Sequence, residues 1–579
     1  MKMTAPDVAA NETEKVEAGM SSDKHRKPEV WRRLDVLSAS ISLNLLSLAL
    51  PLFILQVYDR IIPYQADTTF IVLIIGVAVA LGVEALLRIL RASVMAWEAA
   101  RYDHTETRRA IQHLMQVDAR ELESHSAGFF LDRLQSLGKI QNFYAGQSVT
   151  LIVDLPFVAI FMFVIAYLVG ILVLVPLLLI MILALVCGFG SHHVHKAVAV
   201  RSDMEARRQN FLMEVLQAMH SVKAMAMEKP ILRRYERLQG QSAEISHDLA
   251  KANTEVESAG ISISQLGIVI FVAMGAVQVI GGHLSLGALA AATLLSGRAL
   301  QPAVRAMGIW SQFQAIKLAK HQADELYALR KEPEGKLVPL VCTGKIELDA
   351  VCFSYPGSDK LIADRLTLNI EPGEAVAITG PNGTGKSTLL KIMAGILAPT
   401  RGRMLLDDNP IDSYKRDFVH QHIAVVPQKG VLFEGTLLEN MTLFRGEEYI
   451  EQALELAYHL GLYEIVVRLP MGLDTRISGT NLNTLPEGVK QKIVIIRSLL
   501  GNPGVILFDD SNANLDFQND YRLLRLIRRY KGSKTMVIAT HRPAYMRLCD
   551  RQLLLRDATV TDISSHFSNR SANITSFTR

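Results

Sequence analysis

The stretch Gly380-Pro381-Asn382-Gly383-Thr384-Gly385-Lys386-Ser387-Thr388 decides how the second half of this chain folds. The apolar run 375–378 precedes it and a helical pattern follows, so the sequence predicts a strand, a glycine turn and a helix start. Glycines let consecutive backbone N–H groups converge on a phosphate, and the helix N-terminus adds partial positive charge. Lys386 would reach the outer phosphates and Ser387 would hold Mg²⁺. The pattern therefore predicts a nucleotide-phosphate site.

The composition indicates a membrane protein. The 579 residues are 50% hydrophobic, with a mean hydropathy of +0.22, which is more apolar than ordinary soluble proteins. Apolar stretches of near-membrane length lie at about 37–57, 69–88, 149–168, 171–190, 260–280 and 285–307. They predict six transmembrane helices, followed by an α/β P-loop nucleotide-binding domain. For the third and fourth stretches a buried hairpin of a soluble protein is the alternative, but so long an apolar segment is atypical of soluble chains.

Charge and cysteine content exclude two further classes of function. The formal net charge of +4 is small for this length and is not gathered into one domain, so we expect no nucleic-acid partner. The four cysteines are scattered without a Cys-x-x-Cys pair, which argues against a zinc site or a disulfide framework.

Changes in composition predict four regions. Residues 1–33 are expected to be a disordered tail, 34–330 a transmembrane domain with long cytoplasmic helical extensions, 340–558 the nucleotide-binding domain and 559–579 a flexible C-terminal tail. Lys and Arg cluster before the first span and after the second. This asymmetry predicts that both termini, the segments 89–148 and 191–259, and the nucleotide-binding domain are cytoplasmic.

Three ionisable residues lie close to the predicted spans. Glu84 and Arg88 are four residues apart on one helix face, and Asp154 precedes the third span. Ionisable groups at membrane depth are candidates for function. All three are expected near the inner interface, however, so pairing or contact with cytoplasmic water is the favoured interpretation.

Further residues after the phosphate loop resemble those of ATP-binding cassette transporters. Tyr355 resembles the aromatic residue that stacks on adenine, and Gln428 the glutamine that senses Mg²⁺ and contacts the membrane domain. Asp509 ends a buried apolar run and resembles the carboxylate that binds Mg²⁺ together with Ser387 and Gln428. Asp516 resembles the aspartate of the next loop, and His541 the switch histidine near the γ-phosphate. The resemblance implies ATP and Mg²⁺ as cofactors.

The membrane half resembles a narrower group. Residues 44–60 and Val153-Asp154-Leu155-Pro156-Phe157 resemble the first and third spans of permease/ATPase subunits of bacterial type I protein secretion systems. The resemblance covers about residues 30–555. It implies export of unfolded polypeptide across the inner membrane, through a periplasmic adaptor and an outer-membrane channel. Some relatives carry an N-terminal peptidase-like domain, which the short tail is not expected to contain.

Two departures from the family pattern affect catalysis. The signature segment reads Leu485-Pro486-Glu487-Gly488-Val489 instead of Leu-Ser-Gly-Gly-Gln, and Asp510 replaces the catalytic glutamate. Pro486 has no hydroxyl and no N–H, and Glu487 brings negative charge towards the γ-phosphate of the opposite subunit. Losing one such donor costs on the order of 3 kcal/mol, or about a hundredfold in rate. The side chain of Asp510 is one methylene shorter than that of glutamate, so its carboxylate ends roughly 1.5 Å short of the expected position. Misplacement of a catalytic group by about 1 Å can itself lower the rate on the order of a hundredfold.

These patterns predict an ATP-hydrolysing half-transporter of the inner membrane, with polypeptide as its cargo and lipid around it. A lipid, peptide or drug exporter of the same architecture is one alternative. A nucleotide-binding regulatory subunit with little turnover is another. Since two subunits build each site, dimerisation is required, and the altered signature favours a heterodimer with a related half-transporter that has an intact one. Asp510 and His541 are the predicted catalytic residues.

Overall fold

The computed structural model describes residues 34–145, 150–151, 154–358, 360–477 and 485–564. The predicted N-terminal tail therefore lies outside the described residues, as does 565–579 of the predicted C-terminal tail. Contacts divide the chain into two compact units. The first runs to Val117 and resumes over His125–Leu329, and the second comprises Asp118–Ser124 and the chain from Arg330 onwards.

The N-terminal part of the chain is helical. Short helical segments at Val57–Ile61, Ile62–Tyr64 and Gly170–Val173 connect some of its helices. The longer elements are α1 (Leu34–Leu46), α2 (Ala49–Gln56), α3 (Asp67–Leu114), α4 (Ala119–Ser124), α5 (Ala127–Ala145), α6 (Phe157–Val169), α7 (Leu174–Gln217), α8 (Met219–Ala224), α9 (Glu228–Ile280) and α10 (Leu286–Ala328). Helices α3, α7, α9 and α10 have 48, 44, 53 and 43 residues, more than the roughly 20 that cross a membrane. That they extend into the cytoplasm stays a prediction.

Four stretches of the described chain are long and apolar enough to cross a membrane: Asp35–Tyr64, Asp67–Leu114, Phe157–Val186 and Glu228–Ile280. The third includes most of the third and fourth predicted spans, which a bend at Gly170 (φ +58°) separates. The sixth predicted span is helical within α10 but is not among these four stretches, and it carries Arg298 and Arg305. The count of six spans thus stays a prediction.

Apolar side chains and close backbone approach hold the first unit together. Phe161, Ile165, Phe271 and Leu295 belong to one buried cluster formed by α6, α9 and α10. A Cβ on Gly267 of α9 would lie 2.1 Å from Leu179 Cδ1, so glycine is needed where α9 meets α7. Small residues allow membrane helices to approach each other in this way.

The ionisable residues near the spans are paired. Arg88 Nη2 donates to Glu84 Oε1 at 2.5 Å along α3. Arg91 Nη1 donates to Asp154 Oδ1 at 3.0 Å and also to the buried Ser40 hydroxyl. These contacts support the structural interpretation of Glu84, Arg88 and Asp154, because each charge has a partner within the unit.

The second unit contains the strands. Besides 3-10 turns, its elements from Arg330 onwards are β1 (Ile346–Phe353), β2 (Ala363–Ile370), β3 (Ala375–Thr379), α11 (Lys386–Met393), β4 (Arg401–Leu406), β5 (Asn409–Pro410), α12 (Arg416–His422), β6 (Ile423–Val426), β7 (Gly435–Thr436), α13 (Leu437–Thr442), α14 (Ile450–His459), α15 (Tyr463–Val466), β8 (Arg476–Ile477), α16 (Glu487–Leu499), β9 (Val505–Asp509), α17 (Phe517–Tyr530), β10 (Thr535–Ala539), α18 (Pro543–Leu548), β11 (Arg551–Arg556) and β12 (Thr559–Asp562).

A six-stranded sheet forms the centre of this unit, in the order β12-β11-β3-β10-β9-β6. The five strands β11, β3, β10, β9 and β6 run parallel to one another, and β12 is antiparallel to β11. Strands β3, β9 and β10 are buried almost throughout, which explains their continuous apolar sequences. Their carboxyl ends lie at one edge of the sheet, where the predicted site residues follow them. A second sheet has the order β2-β1-β4-β5.

Two predicted boundaries need correction. Residues 559–562 do not begin a flexible tail, because β12 pairs with β11 and Asp562 binds Arg551 at 3.2 Å. The segment Asp118–Ser124 falls inside the predicted transmembrane domain but groups with the second unit. Lys391 Nζ donates to Glu123 Oε1 at 2.7 Å, which explains part of this grouping.

Candidate nucleotide site

The phosphate loop joins β3 to α11 and needs glycine at its ends. Gly380 and Gly385 have φ values of +153° and +98°. A Cβ on Gly385 would lie 2.2 Å from Ile362 Cγ2, and one on Gly380 would lie 2.3 Å from the Leu555 carbonyl oxygen. Both the backbone angles and the lack of space thus explain these two glycines. The structure places the predicted strand, turn and helix start where the sequence indicates them.

The Lys386 ammonium folds back over its own loop. Nζ donates to the carbonyl oxygens of Gly380 at 2.8 Å and Pro381 at 3.1 Å. Burial lowers the pKa of Lys386, while the charges of Asp510 and Asp509 oppose this effect. A cation half-buried beside two carboxylates is well placed to bind the outer phosphates of a nucleotide.

Ser387 and Asp509 meet across the site. Ser387 Oγ donates to Asp509 Oδ1 at 2.8 Å, which joins the first turn of α11 to the end of β9. Within the described ranges, no group of three or more His, Cys, Asp or Glu side chains is arranged to hold a metal ion. One hydroxyl and one carboxylate fit Mg²⁺, which takes few protein ligands and completes its octahedral shell with phosphate oxygens and water. Ser387 and Asp509 would hold that ion, and it would supply positive charge that neutralises the phosphates.

The charge of Asp509 should reduce the stability of the nucleotide-free protein. Burial raises its pKa; the hydrogen bond from Ser387 opposes the rise and the charge of Asp510 adds to it. An acid with a raised folded-state pKa stabilises the fold below the unfolded-state pKa and loses that contribution as pH rises. At neutral pH, Asp509→Asn should therefore raise the unfolding midpoint of the nucleotide-free protein, by about 2 °C or more, and weaken Mg²⁺-dependent ATP binding.

Thermal unfolding of the purified protein at pH 7 and pH 4, with and without MgATP, measures this effect. The stabilisation should shrink towards pH 4, because the folded-state carboxyl of Asp509, whose pKa is raised, takes up a proton before the unfolded-state carboxyl does. A lower midpoint for Asp509→Asn at pH 7 would contradict the assignment.

Asp510 and His541 follow neighbouring strands. Asp510 is half-buried with a left-handed φ of +43°, and its N–H donates to the Ala539 carbonyl at 3.0 Å. Thr540 N–H donates to the Ile378 carbonyl, and His541, which comes next, is exposed. The ends of β9, β10 and β3 are thus linked by backbone hydrogen bonds. Non-glycine residues are uncommon in the left-handed region, where Asp is enriched, and such strained residues cluster at functional sites.

Tyr355 and Gln428 occupy the edges of the site. The Tyr355 hydroxyl lies 3.2 Å from Thr388 Oγ1, and its ring packs edge-on against Phe353. Gln428 is exposed, in the loop after β6. The structure thus connects Tyr355 to the helix that follows the phosphate loop and leaves Gln428 accessible.

The signature segment leads into α16. Pro486 is the N-cap residue and makes no side-chain hydrogen bond, so the helix start has no hydroxyl donor. Lys490 Nζ donates to Glu487 Oε1 at 2.8 Å, which balances the charge that Glu487 introduces. Leu485 is half-buried, Gly488 is close to the Asn514 carbonyl oxygen and Val489 is buried. The N-terminus of α16 still provides backbone N–H groups that have no partner within the helix.

Asp516 is the N-cap of α17. Its side chain accepts from the Asn519 N–H at 2.8 Å, and this bond is the main reason that its pKa is lowered. The residue is exposed. It therefore holds the start of α17 directly after the loop that carries Asp510.

Some side chains that organise the site were missed by sequence reasoning. Gln491, 1% exposed, donates to the Pro427 carbonyl at 2.9 Å and so holds the Gln428 loop against α16. Asp520 and Arg542 form an ion pair at 2.6 Å between α17 and the residue after His541. The sequence could have indicated Gln491, because it is a polar residue on the apolar face of a helix. The residues with which Gln491, Asp520 and Arg542 pair are evident only in the structure.

Comparisons with known proteins agree with this architecture. Family models match residues 36–303, as the ABC transporter transmembrane region, and 363–513, as the ABC transporter domain. The chain is 29% identical to the cyclolysin secretion/processing ATP-binding protein CyaB of Bordetella pertussis, over 92% of this chain and 75% of that protein. It is 27% identical to the alpha-hemolysin translocation ATP-binding protein HlyB of Escherichia coli, over 93% and 76%.

A solved structure, a bacterial Atm1-family ABC exporter with ATP bound, has the same fold, with a TM-score of 0.81 at 20% identity, over 94% of this chain and 97% of that one. The two family models together cover both units of the chain, and the phosphate loop lies inside the matched ATPase region. The chain therefore belongs to the ABC transporters, with an exporter-type transmembrane region followed by an ATPase domain whose ATP hydrolysis is coupled to transport.

Proposed function

We propose that this ABC exporter is the inner-membrane subunit of a type I secretion system and moves unfolded polypeptide out of the cytoplasm. The meeting of Lys386, Ser387 and Asp509 at one sheet edge, on the same polypeptide as the apolar helices, supports ATP-driven export. Similarity to two secretion and translocation proteins over more than nine-tenths of the chain supports polypeptide as the cargo. The proposal includes a periplasmic adaptor, an outer-membrane channel and a cytoplasmic ATPase domain.

The residues of the site divide into binding and catalytic roles in this proposal. Residues 380–388 and Tyr355 bind the nucleotide, and Ser387, Gln428 and Asp509 hold Mg²⁺. Asp510 orients and deprotonates the attacking water, because it follows the strand that delivers Asp509. His541, after the neighbouring strand, contacts the γ-phosphate. Closure of the two subunits on ATP reorients the membrane helices.

Comparison of secreted proteins tests the cargo class. Deleting the gene should remove one or a few polypeptides from the culture medium while their cytoplasmic levels persist, and a plasmid copy should restore them. An unchanged set of secreted proteins would reject the secretion assignment. That outcome would favour export of a lipid, small peptide or drug by the same architecture.

The altered signature supports a heterodimer. In a homodimer, both composite sites would combine Asp510 with the Pro486-Glu487 segment. In a heterodimer, one site pairs Asp510 with an intact signature from the partner, and the other pairs a partner glutamate with the altered segment. A serine hydroxyl in the signature would contact the γ-phosphate directly, so its loss slows the site that contains the altered segment. The site that contains Asp510 should therefore be the faster one. Full ATPase activity of a dimer made from this chain alone would contradict the heterodimer.

The altered signature is also the reason for the alternative function, a regulatory subunit with little ATP turnover. Restoring the signature by mutation distinguishes this alternative from the proposed exporter. Pro486→Ser with Glu487→Gly returns a hydroxyl donor and removes a negative charge, so the slower site should accelerate by about tenfold to a hundredfold. Steady-state ATPase of the purified dimer in lipid measures this change. Lys490→Ala alone, which leaves Glu487 without its ammonium partner, should slow the enzyme further. ATP binding without turnover in every one of these variants would favour a regulatory subunit.

A further inference from the structure

A partly buried polar cluster joins the two loops that carry Asp510 and His541. It consists of Asn512, Asp520, Arg542 and Tyr545, of which Asn512 is 3% and Tyr545 2% exposed. Each comes from a different part of the chain: the loop after β9, the first turn of α17, the residue after His541, and α18. The cluster therefore connects elements that are distant in sequence but adjacent at the site.

Both carboxylate oxygens of Asp520 are used. Oδ1 accepts from Tyr545 Oη at 2.7 Å and from Asn512 Nδ2 at 3.1 Å. Oδ2 pairs with Arg542 Nη1 at 2.6 Å. The Asp520 side chain is 16% exposed and that of Arg542 is 37% exposed, so the carboxylate is largely shielded from water while the guanidinium is partly solvated. Hydrogen bonds to a charged group are stronger than neutral ones, which favours a fixed arrangement around this carboxylate.

Arg542 closes the cluster back onto the loop of the catalytic aspartate. Its Nη2 donates to the Asn512 carbonyl at 3.0 Å, and its backbone N–H donates to Thr540 Oγ1 at 3.1 Å. Asn512 is two residues after Asp510, and Arg542 directly follows His541. A single carboxylate thus fixes both loops through its two oxygens.

We propose that Asp520 is a positioning residue for ATP hydrolysis: it sets the placement of His541 relative to Asp510 without touching the nucleotide. This inference rests on the proposed roles of Asp510 and His541. Two loops that are bonded to the same largely shielded carboxylate keep a fixed separation, and displacement of a reacting group by about 1 Å can cost on the order of a hundredfold in rate. Asp516 is the N-cap of α17, so the helix that carries Asp520 is also fixed at its start, directly after the loop of Asp510.

Asp520→Asn tests the proposal. Asparagine retains the shape and one acceptor oxygen but loses the charge that holds Arg542. In the full-length transporter in lipid, kcat for ATP should fall by about tenfold to a hundredfold, while KM changes less than about threefold. Arg542→Gln should lower kcat by a similar factor. The variant that combines Asp520→Asn with Arg542→Gln should be no slower than the slower single variant, because both changes remove the same contact.

Glu464→Gln is the matched control, since it breaks the ion pair of Arg522, which lies on α17 two residues after Asp520, with Glu464 at 2.8 Å. It should leave kcat within about twofold, as exposed pairs contribute little. An unchanged kcat for Asp520→Asn overturns the proposal. So does a rate that falls only in proportion to lost ATP binding or a lowered unfolding midpoint.

A second variant keeps the test valid if Asp520→Asn does not accumulate. Tyr545→Phe removes one hydrogen bond to Asp520 and keeps the ring, so kcat should fall by about threefold to tenfold. No fall overturns the proposal. If Asp510→Asn also leaves turnover unchanged, the proposed role of Asp510 as the base of the faster composite site is wrong. If Asp510→Asn inactivates but both cluster variants do not, only this inference fails.

Discussion

Replacing Lys386 with alanine should abolish ATP turnover at the composite site that contains this chain's phosphate loop, with a fall in the kcat of that site of about a thousandfold. The side chain supplies the one ammonium that hydrogen-bonds to the phosphate loop's own carbonyls in the described chain, at 2.8 and 3.1 Å. When phosphate replaces those carbonyls as its partner, the ammonium stabilises negative charge that grows during transfer. Without it, two neighbouring carboxylates, Asp509 and Asp510, would repel the nucleotide.

Steady-state ATPase of the full-length protein in lipid measures the effect, together with binding of a fluorescent ATP analogue. Lys534→Met is the control, because Lys534 Nζ donates to the Asn502 carbonyl in a turn outside the site. It should keep turnover within about twofold. ATPase activity that survives Lys386→Ala would mean that the measured turnover comes from another site or another protein.

Asp510→Asn should remove most turnover of the dimer, about a hundredfold, with ATP binding retained. The left-handed backbone at Asp510 and the bond from its N–H to Ala539 fix where the side chain begins. Asparagine tolerates the same backbone but cannot accept a proton from water. The effect is therefore expected in kcat and not in KM.

Asp408→Asn is the matched control, as Asp408 also has a left-handed φ, +63°, but lies in the turn between β4 and β5 and pairs with Lys345. Its turnover should match that of the unmodified protein. A largely unchanged rate for Asp510→Asn would show that the faster composite site is the one formed by the partner's base and the altered signature.

The strand-turn-helix around the phosphate loop was predictable because its requirements are local. Gly380 and Gly385 are dictated by backbone angle and space, and a buried parallel strand such as β3 has a continuously apolar sequence. The order of the motifs then predicted which strand ends carry Asp509, Asp510 and His541. Parallel pairing of β9 with β10 and of β10 with β3 brings those ends together.

Other features could not be predicted because they depend on partners distant in sequence. Asp520 and Arg542 are 22 positions apart by their numbering, and nothing local marks them as a pair. Likewise, α4 groups with the second unit through contacts such as Lys391 with Glu123. The strand β12 is short and polar, so its sequence resembles a tail until the pairing with β11 is known.

Complementation of a gene-deletion strain tests the central claim most directly, namely that ATP hydrolysis at this chain's site drives polypeptide export. The amount of each missing secreted polypeptide is measured in the medium of strains that carry the unmodified gene, Lys386→Ala or Lys534→Met at equal abundance in the membrane. The account predicts that the unmodified gene and Lys534→Met restore export and that Lys386→Ala restores none. Restoration by Lys386→Ala, or a deletion strain that lacks no secreted polypeptide, would contradict it.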